Sequence, residues 1–309
     1  MLFEDIIGND ENKKILANVV TNKNLVHSYL FYGTDGIGKK IFAKQFAKMI
    51  LCEGTDAEKP CDRCKSCIEF DSGNNPDFFF IEPDGNSIKI DQIRQMQKSV
   101  LEKPIESEKK VYVIDNCNLM TREAQNCMLK TLEEPQEYVT IILISSSESS
   151  MLATVKSRCM KLYFKELSED EISKYIQRNY EGITLQNDLI KLCGGSISKI
   201  CIIVQKIEIL NQVKTFMDNI SSINKLNFIR NNQLLYDNKD DIYLLLDYIY
   251  ILLFELASRN KSCFNGYINS MKIVESTRAK IMNSNNYDMS IDSMLIKMWE
   301  EINEKNCRC

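Results

Sequence analysis

The sequence predicts an α/β domain, a mostly parallel sheet flanked by helices, followed by two helical parts. Three observations carry this. Over the first half, short apolar runs alternate with longer helical patterns, the signature of strand–helix alternation. All five prolines fall at or before Pro135 and only four of the eleven glycines lie beyond Gly85, so the last 174 residues contain no proline and can run as long helices. Near residue 165 the pattern turns purely helical.

The strands come first. "SYLFYG" (28–33), "DFFFIEP" (77–83), "KVYVIDN" (110–116), "VTIILISS" (139–146) and "CMKLYF" (159–164) read as buried strands. Between them lie helix candidates such as "MTREAQNCMLKTLEEP", where Ala124, Cys127, Met128 and Leu132 share one helical face. "LSEDEISKYIQRNY" opens with Ser168 and Glu171 at capping-box spacing, followed by Ile172, Tyr175 and Ile176 at helical spacing. The expected division is a strand-and-helix domain over 1–164, a small helical domain over 165–208 and an all-helical domain over 209–309. The apolar run 242–254 suits a helix buried on every side, in that domain or at its interface.

Bulk properties narrow the function classes. A length of 309 residues allows a full core and more than one domain. With a formal net charge of −4, any nucleic-acid contact must come from a local patch or a shared assembly. The sequence shows no apolar leader with a small-residue cleavage site. The stretch 242–257 carries Asp247 and Glu255 and is short for a bilayer span. A soluble cytoplasmic protein is the expectation. In a reducing compartment, a close group among the twelve cysteines points to metal rather than to disulfides.

Two motifs suggest a nucleotide site. "FYGTDGIGKK" (31–40) has the skeleton G-x-x-x-x-G-K, with Gly33, Gly36, Gly38 and Lys39, between a predicted strand and the predicted helix "KKIFAKQFAKMIL". That placement lets backbone N–H groups wrap a phosphate at a helix N-terminus while the lysine supplies charge. The next residue should be a Ser or Thr that helps hold Mg²⁺; it is Lys40. "VYVIDNCN" (111–118) is an apolar strand ending in Asp115, as in a Walker B segment. The following position, which in ATPases of this kind carries an acid that polarises water, holds Asn116, and an amide is no general base. The plainer alternative for this segment is a buried strand ending in a turn-forming Asp-Asn. Two independent losses predict a site that does not hydrolyse ATP.

"LCEGTDAEKPCDRCKSC" places Cys52, Cys61, Cys64 and Cys67 at C-x8-C-x2-C-x2-C spacing. Four thiolates from tight turns suit tetrahedral Zn²⁺, and the all-sulfur set with no histidine suits a closed structural site rather than a catalytic one. Free thiols in a loop are the bland alternative. Arg158 stands just before the last predicted strand, where by itself it reads as a solvated charge. His27 is the only histidine and has no nucleophile partner that would suggest triad chemistry. Trp299 reads as a core anchor of the last helix.

Taken in order, these segments resemble a clamp-loader subunit of the AAA+ superfamily. The opening "FEDIIGNDENKKILANVV", the loop "HSYLFYGTDGIGKK", the four-cysteine insertion after the loop helix, "LKTLEEP" (129–135) and "SRC" (157–159) all match, over roughly residues 1–205. The resemblance implies an AAA+ domain with an inserted zinc module, a small helical lid and an all-α collar domain. Within bacterial DNA polymerase III, the hydrolysing gamma/tau subunit would be expected to keep Ser or Thr at position 40 and Glu at 116. Lys40, Asn116, "SIKIDQIRQMQKSV" (87–100) and "GGSISKI" (194–200), with Lys199 at a basic sensor position, are similar to the non-hydrolysing type instead. That type acts as a stator. Arg158 would then be an arginine finger for the ATP site of a neighbouring gamma/tau subunit, in a hetero-oligomer with delta that places a sliding clamp on primed DNA. Zn²⁺ would be structural, and ATP with Mg²⁺ weakly bound or absent in the chain's own site. A divergent ATP-hydrolysing gamma-type subunit, a stand-alone zinc-module DNA-binding protein and a subunit of another AAA+ assembly remain the alternatives.

Overall fold

The strands form where the sequence alternates its apolar residues between two faces, and each face acquires its own layer of helices. In the computed structural model, which describes residues 3, 6–55, 59–260, 263–283 and 286–305, β1 (Ser28–Tyr32), β2 (Phe78–Ile81), β3 (Lys110–Ile114), β4 (Val139–Ser145) and β5 (Met160–Tyr163) make one sheet. Its order is β2-β3-β4-β1-β5, with every pair parallel. Such a sheet needs a crossover after each strand and helices on both faces.

Those crossovers include α2 (Lys39–Leu51), α3 (Lys65–Asp71), α4 (Ile90–Val100), α5 (Arg122–Glu133) and the short α6 (Ala153–Lys156), with α1 (Asp10–Thr21) preceding the sheet and α7 (Glu169–Asn179) following it. One face packs Tyr29, Phe31, Val111, Val113, Ile142 and Ile144 against Phe42 and Phe46 of α2 and Leu16 of α1. The other packs Leu30, Tyr112, Ile114, Ile141 and Leu143 against Ile93 and Met96 of α4 and Ala124 and Met128 of α5. Successive strand residues thus enter opposite cores, as the two-residue period of a strand requires. Phe46 shows the scale: it is fully buried among Tyr29 and Phe31, where truncation to Ala typically costs about 3–5 kcal/mol.

The sequence-expected strands and the helices over 39–51 and 122–133 coincide with observed elements to within a few residues. The capping box of α7 is formed: Ser168 Oγ accepts from Glu171 N, and Glu171 accepts from Ser168 N. The chain divides into two compact units, 1–181 with 195–198 and 182–194 with 199–309. The segment 165–208 is therefore split between the two.

From α8 (Asn187–Cys193) onward the chain is helical, through α9 (Ile197–Gln205), α10 (Ile207–Asp218), α11 (Lys225–Ile229) and α12 (Asn232–Asp237). In the second unit the long helices α13 (Ile242–Arg259), α14 (Phe264–Met282) and α15 (Tyr287–Glu300) pack in sequence, with α10 against α13. Leu245, Leu246, Ile249, Leu252 and Leu253 of α13 are buried, but Tyr243 and Phe254 are exposed. Within this chain the helix is therefore not buried on every side, although α10 and α14 both pack on it. Trp299 is half-buried, and its Nε1 donates to Ile223 O at 3.0 Å. No helix among the described residues is long and apolar enough to cross a membrane.

Candidate functional site

The loop after β1 runs directly into the N-terminus of α2, so the fold delivers the strand–loop–helix geometry that the spacing predicts. Gly33 follows the strand, and Gly38 caps the helix with φ +94°. Gly36 has φ +78°, and a Cβ there would come within 2.3 Å of Ser196 Oγ and 2.9 Å of Ser198 Cβ. The segment 195–198 lies on the loop: Ser198 N donates to Gly36 O at 3.1 Å, and Ser196 Oγ donates to Asp35 O at 3.3 Å. Only glycine allows this close approach.

The two lysines that follow diverge. Lys39 folds back into the loop, its Nζ donating to the carbonyl oxygens of Gly33 at 2.5 Å and Thr34 at 2.7 Å, with Asp35 Oδ1 at 3.8 Å. Burial pushes its pKa down, against the opposing pull of Asp35 and Asp115. Lys40 reaches the other way, to the carboxyl ends of two strands. Its Nζ lies 2.6 Å from Glu82 Oε1 and 3.3 Å from Asp115 Oδ2, over the Phe80 ring at 4.6 Å from the centroid. Burial works against this ammonium, but the hydrogen bonds and charges of Glu82 and Asp115 outweigh it, and its pKa lies above that of an ordinary lysine.

The sequence did not single out Glu82. The signal was there in the pairing: β2 and β3 are parallel neighbours with Ile81 opposite Ile114, which sets Glu82 beside Asp115. Asn116 occupies a left-handed turn with φ +50° at the end of β3, its N–H bonded to the Asp115 carboxylate at 3.0 Å.

The metal that a working phosphate loop requires does not fit these residues. Position 40 supplies a cation rather than a neutral oxygen ligand, and the acid that should bind the metal is already paired with it.

The four cysteines do converge. Cys52 ends α2 and Cys64 caps α3, and the sulfurs of Cys52, Cys61, Cys64 and Cys67 all lie within 4.8 Å of one another. Cys52 and Cys64 are 4.0 Å apart, close to the edge of about 3.8 Å expected for a tetrahedron of thiolates at Zn–S distances near 2.3 Å. Backbone N–H groups of Gly54 and Cys61 donate to Cys52 Sγ at 3.3 Å, Cys64 N to Cys61 Sγ and Cys67 N to Cys64 Sγ at 3.4 Å. These are bonds that favour thiolates. The backbone N–H groups of Arg63 and Cys64 lower the Cys61 thiol to about 6, whereas burial raises those of Cys52 and Cys67. A side chain at Gly54 would press on Cys61 Cβ at 2.9 Å. Residues 56–58 of this module lie outside the described residues. The donor set suits a structural Zn²⁺ held by the four sulfurs.

Lys48 anchors the module to α2. Its largely buried Nζ pairs with Asp62 at 2.5 Å and Asp71 at 2.8 Å. Away from both motifs, Arg158 lies before β5, where its Nη2 pairs with Glu133 Oε1 at 2.7 Å and its Nη1 donates to Thr154 O at 2.8 Å. Its backbone carbonyl accepts from Ser28 Oγ at 2.6 Å. Glu133 belongs to "LKTLEEP", but nothing in the sequence pairs it with Arg158. His27 is exposed and contributes through its carbonyl, which accepts from Ile141 N at 2.8 Å.

A parallel sheet with a glycine loop feeding a helix, and an acid at the end of a strand of the same sheet, defines a protein of phosphate-loop architecture with a four-cysteine insertion. More narrowly, the chain belongs to the family described as DNA polymerase III, delta subunit, whose profile matches residues 8–168. The delta-prime subunit of Bacillus subtilis is 40% identical over 159 residues, covering 52% of this chain and 48% of that protein. The tau/gamma subunit of Haemophilus influenzae is 35% identical over 201 residues, covering 63% of this chain and 29% of that one. The match therefore spans less than half the length of either relative. A solved DNA polymerase III gamma subunit-related protein from Thermotoga maritima shares 17% identity over 94% of this chain and 99% of that one, with a TM-score of 0.49. The family and the relatives together fit a delta-prime-type clamp-loader subunit.

Proposed function

We propose that this chain is the stator of a DNA polymerase III clamp loader, a subunit that hydrolyses no ATP and completes a neighbour's site. The observation that carries this is the ammonium of Lys40 bonded between Glu82 and Asp115, together with an amide at Asn116. A loop so arranged lacks both the metal ligand and the acid that positions water. Gly33, Gly36, Gly38, Lys39 and Asp115 then form a retired nucleotide site, kept for its strand–turn–helix geometry.

In this reading Arg158 is an arginine finger. Its guanidinium is held at the surface by an ion pair with Glu133 and a bond to Thr154 O, of which a phosphoryl group of a gamma/tau neighbour can displace the ion pair. The segment 165–208 acts as a lid, 209–309 as the collar that joins the subunits, and Cys52, Cys61, Cys64 and Cys67 hold structural Zn²⁺. Gamma/tau and delta are the partners, with the sliding clamp and primed DNA engaged through the complex.

The test is steady-state ATP hydrolysis by the isolated chain, then by the complex reconstituted with gamma/tau, delta, clamp and primed DNA. The isolated chain should show no turnover. Arg158→Ala should slow the complex about tenfold or more, since such fingers contribute about 10³–10⁵ at a single site. Saturable turnover by the isolated chain, abolished by Lys39→Ala, would replace this reading with a divergent gamma-type motor, the alternative favoured by the 35% identity to a tau/gamma subunit.

A further inference from the structure

The disagreement between this loop and a divalent metal has a specific form. In a phosphate loop of this kind the metal is held by the residue after the lysine and by the acid ending a strand of the same sheet. Here the first of these positions sends a flexible four-carbon stem into that space, and its terminal charge lands 3.3 Å from Asp115 Oδ2 and 2.6 Å from Glu82 Oε1. The Phe80 ring lies beneath it, with the Lys44 ammonium 4.9 Å from the same ring centroid. Asp115 is largely buried, so leaving its carboxylate without a cation would be costly. A Mg²⁺ at about 2.1 Å from that carboxylate would sit within a few ångströms of Lys40 and be repelled by it. Mg²⁺ also has to shed tightly held water to bind, whereas the ammonium keeps part of its side chain in water and, being tethered, is never diluted away.

We propose that Lys40 is a built-in substitute for the divalent cation, its ammonium standing between Asp115 and Glu82 so that the loop takes up no Mg²⁺. Because the ammonium is part of the chain, it stays beside the two carboxylates whatever the divalent-ion concentration, and the loop has no ion to gain or lose. This rests on reading 33–40 as a phosphate loop and Asp115 as its acid; it does not depend on Arg158 acting as a finger.

Mn²⁺ as a paramagnetic stand-in for Mg²⁺ provides the test, on the full-length zinc-loaded chain, with bound and free ion distinguished by electron paramagnetic resonance. The wild-type chain should show no Mn²⁺ site that Asp115→Asn removes, and millimolar Mg²⁺ should leave its Tm unchanged. Lys40→Thr, which restores a hydroxyl, should gain one site at least about tenfold tighter than any in the wild type. That site should vanish in the Lys40→Thr, Asp115→Asn double variant, and Mg²⁺ should raise the Tm of the single variant. Lys40→Arg, which keeps the charge, should stay metal-free. A stoichiometric Asp115-dependent Mn²⁺ site in the wild type overturns the proposal, and so does a folded Lys40→Thr chain that gains none. Should Lys40→Thr not fold, the wild type and Lys40→Arg still decide it, because an Asp115-dependent site in either is fatal. Hydrolysis by the reconstituted complex tests the stator reading separately, so the two can fail independently.

Discussion

The phosphate loop and the cysteine module lie at opposite ends of the same helix, and they treat ions in opposite ways. At the N-terminal end of α2 the acids Asp115 and Glu82 find their counter-charge in Lys40, a side chain of the helix itself. At its C-terminal end Cys52, Cys61, Cys64 and Cys67 bring four sulfurs together, and their N–H···S bonds favour negative charge that no single lysine could match. The first site has internalised its cation; the second is arranged to take one from outside. A site whose ion takes part in a reaction loses that reaction when a side chain replaces the ion, whereas a structural site has no reaction to lose.

Removing zinc should give the largest contrast. Chelation, or Cys64→Ser, should release the metal and unfold the module over 52–67, read as lost zinc stoichiometry and lost amide protection there. Structural zinc contributes roughly 10–16 kcal/mol in small modules, so a loss of several kcal/mol is expected even with a large core beside it. The same chelator should leave the loop 33–40 unaffected. If protection in the loop fell as well, the two ends of α2 would be one unit and the contrast would fail.

Gly36→Ala probes the loop. A left-handed backbone costs a non-glycine residue about 1–2 kcal/mol, and the added methyl would meet Ser196 Oγ at 2.3 Å. Denaturant unfolding should show a loss of about 2–4 kcal/mol. Adding Ser196→Ala should recover part of this by removing the nearest atom. No recovery would mean that backbone strain and the Ser198 contact at 2.9 Å account for the cost.

Lys48→Met should act more weakly, through the join between helix and module. The lysine stem is largely buried while Asp62 and Asp71 are more than half exposed. The freed carboxylates can therefore turn to water, and a loss of about 1 kcal/mol is expected. Competition with a chelator should show weaker zinc retention, because Asp62 lies between two of the ligands.

Much of this was readable from the sequence, for definite reasons. Strands fully covered on both faces leave continuous apolar runs, and "VTIILISS" appears as β4 with all seven residues buried. The cysteine cluster was legible because its ligands are local. Apart from the loop and Asp115, which their motifs bring together, the pairings between distant segments escaped: Glu82 with Lys40, Glu133 with Arg158, and Ser196 and Ser198 against Gly36. Each of these pairings depends on strand order or on a chain return, which a single sequence does not specify. Lys40 itself was recognised as a misfit for metal, but only the β2–β3 register shows that it has acids to bind.

The smallest effect separates the two sites by pH. Zinc thiolates lose metal as pH falls, because protons compete for sulfur. The loop should respond from the other side. The Lys40 pKa is raised above the ordinary 10.5 by Glu82 and Asp115, against the opposing effect of burial. Its contribution is therefore fully present below about 10.5 and disappears as pH rises through the higher folded value. Because Lys40 and Glu82 are both more than a third exposed, solvent screening confines the effect to the range of about 0–1 kcal/mol. Lys48, Lys65, Lys161 and Lys225 shift the same way and Lys39 the opposite way, and Tyr29, Tyr112, Tyr236 and Tyr287 are pushed up to about 12, so the wild-type alkaline limb alone would mix many groups. The difference between wild type and Lys40→Arg isolates the one that matters, since a guanidinium stays charged throughout. Urea midpoints between about pH 9 and 12 should coincide for the two chains at the lower end and separate toward the upper end, with the arginine variant holding on longer. Parallel curves would mean that the pairing of the position-40 ammonium with Glu82 and Asp115 contributes nothing to stability.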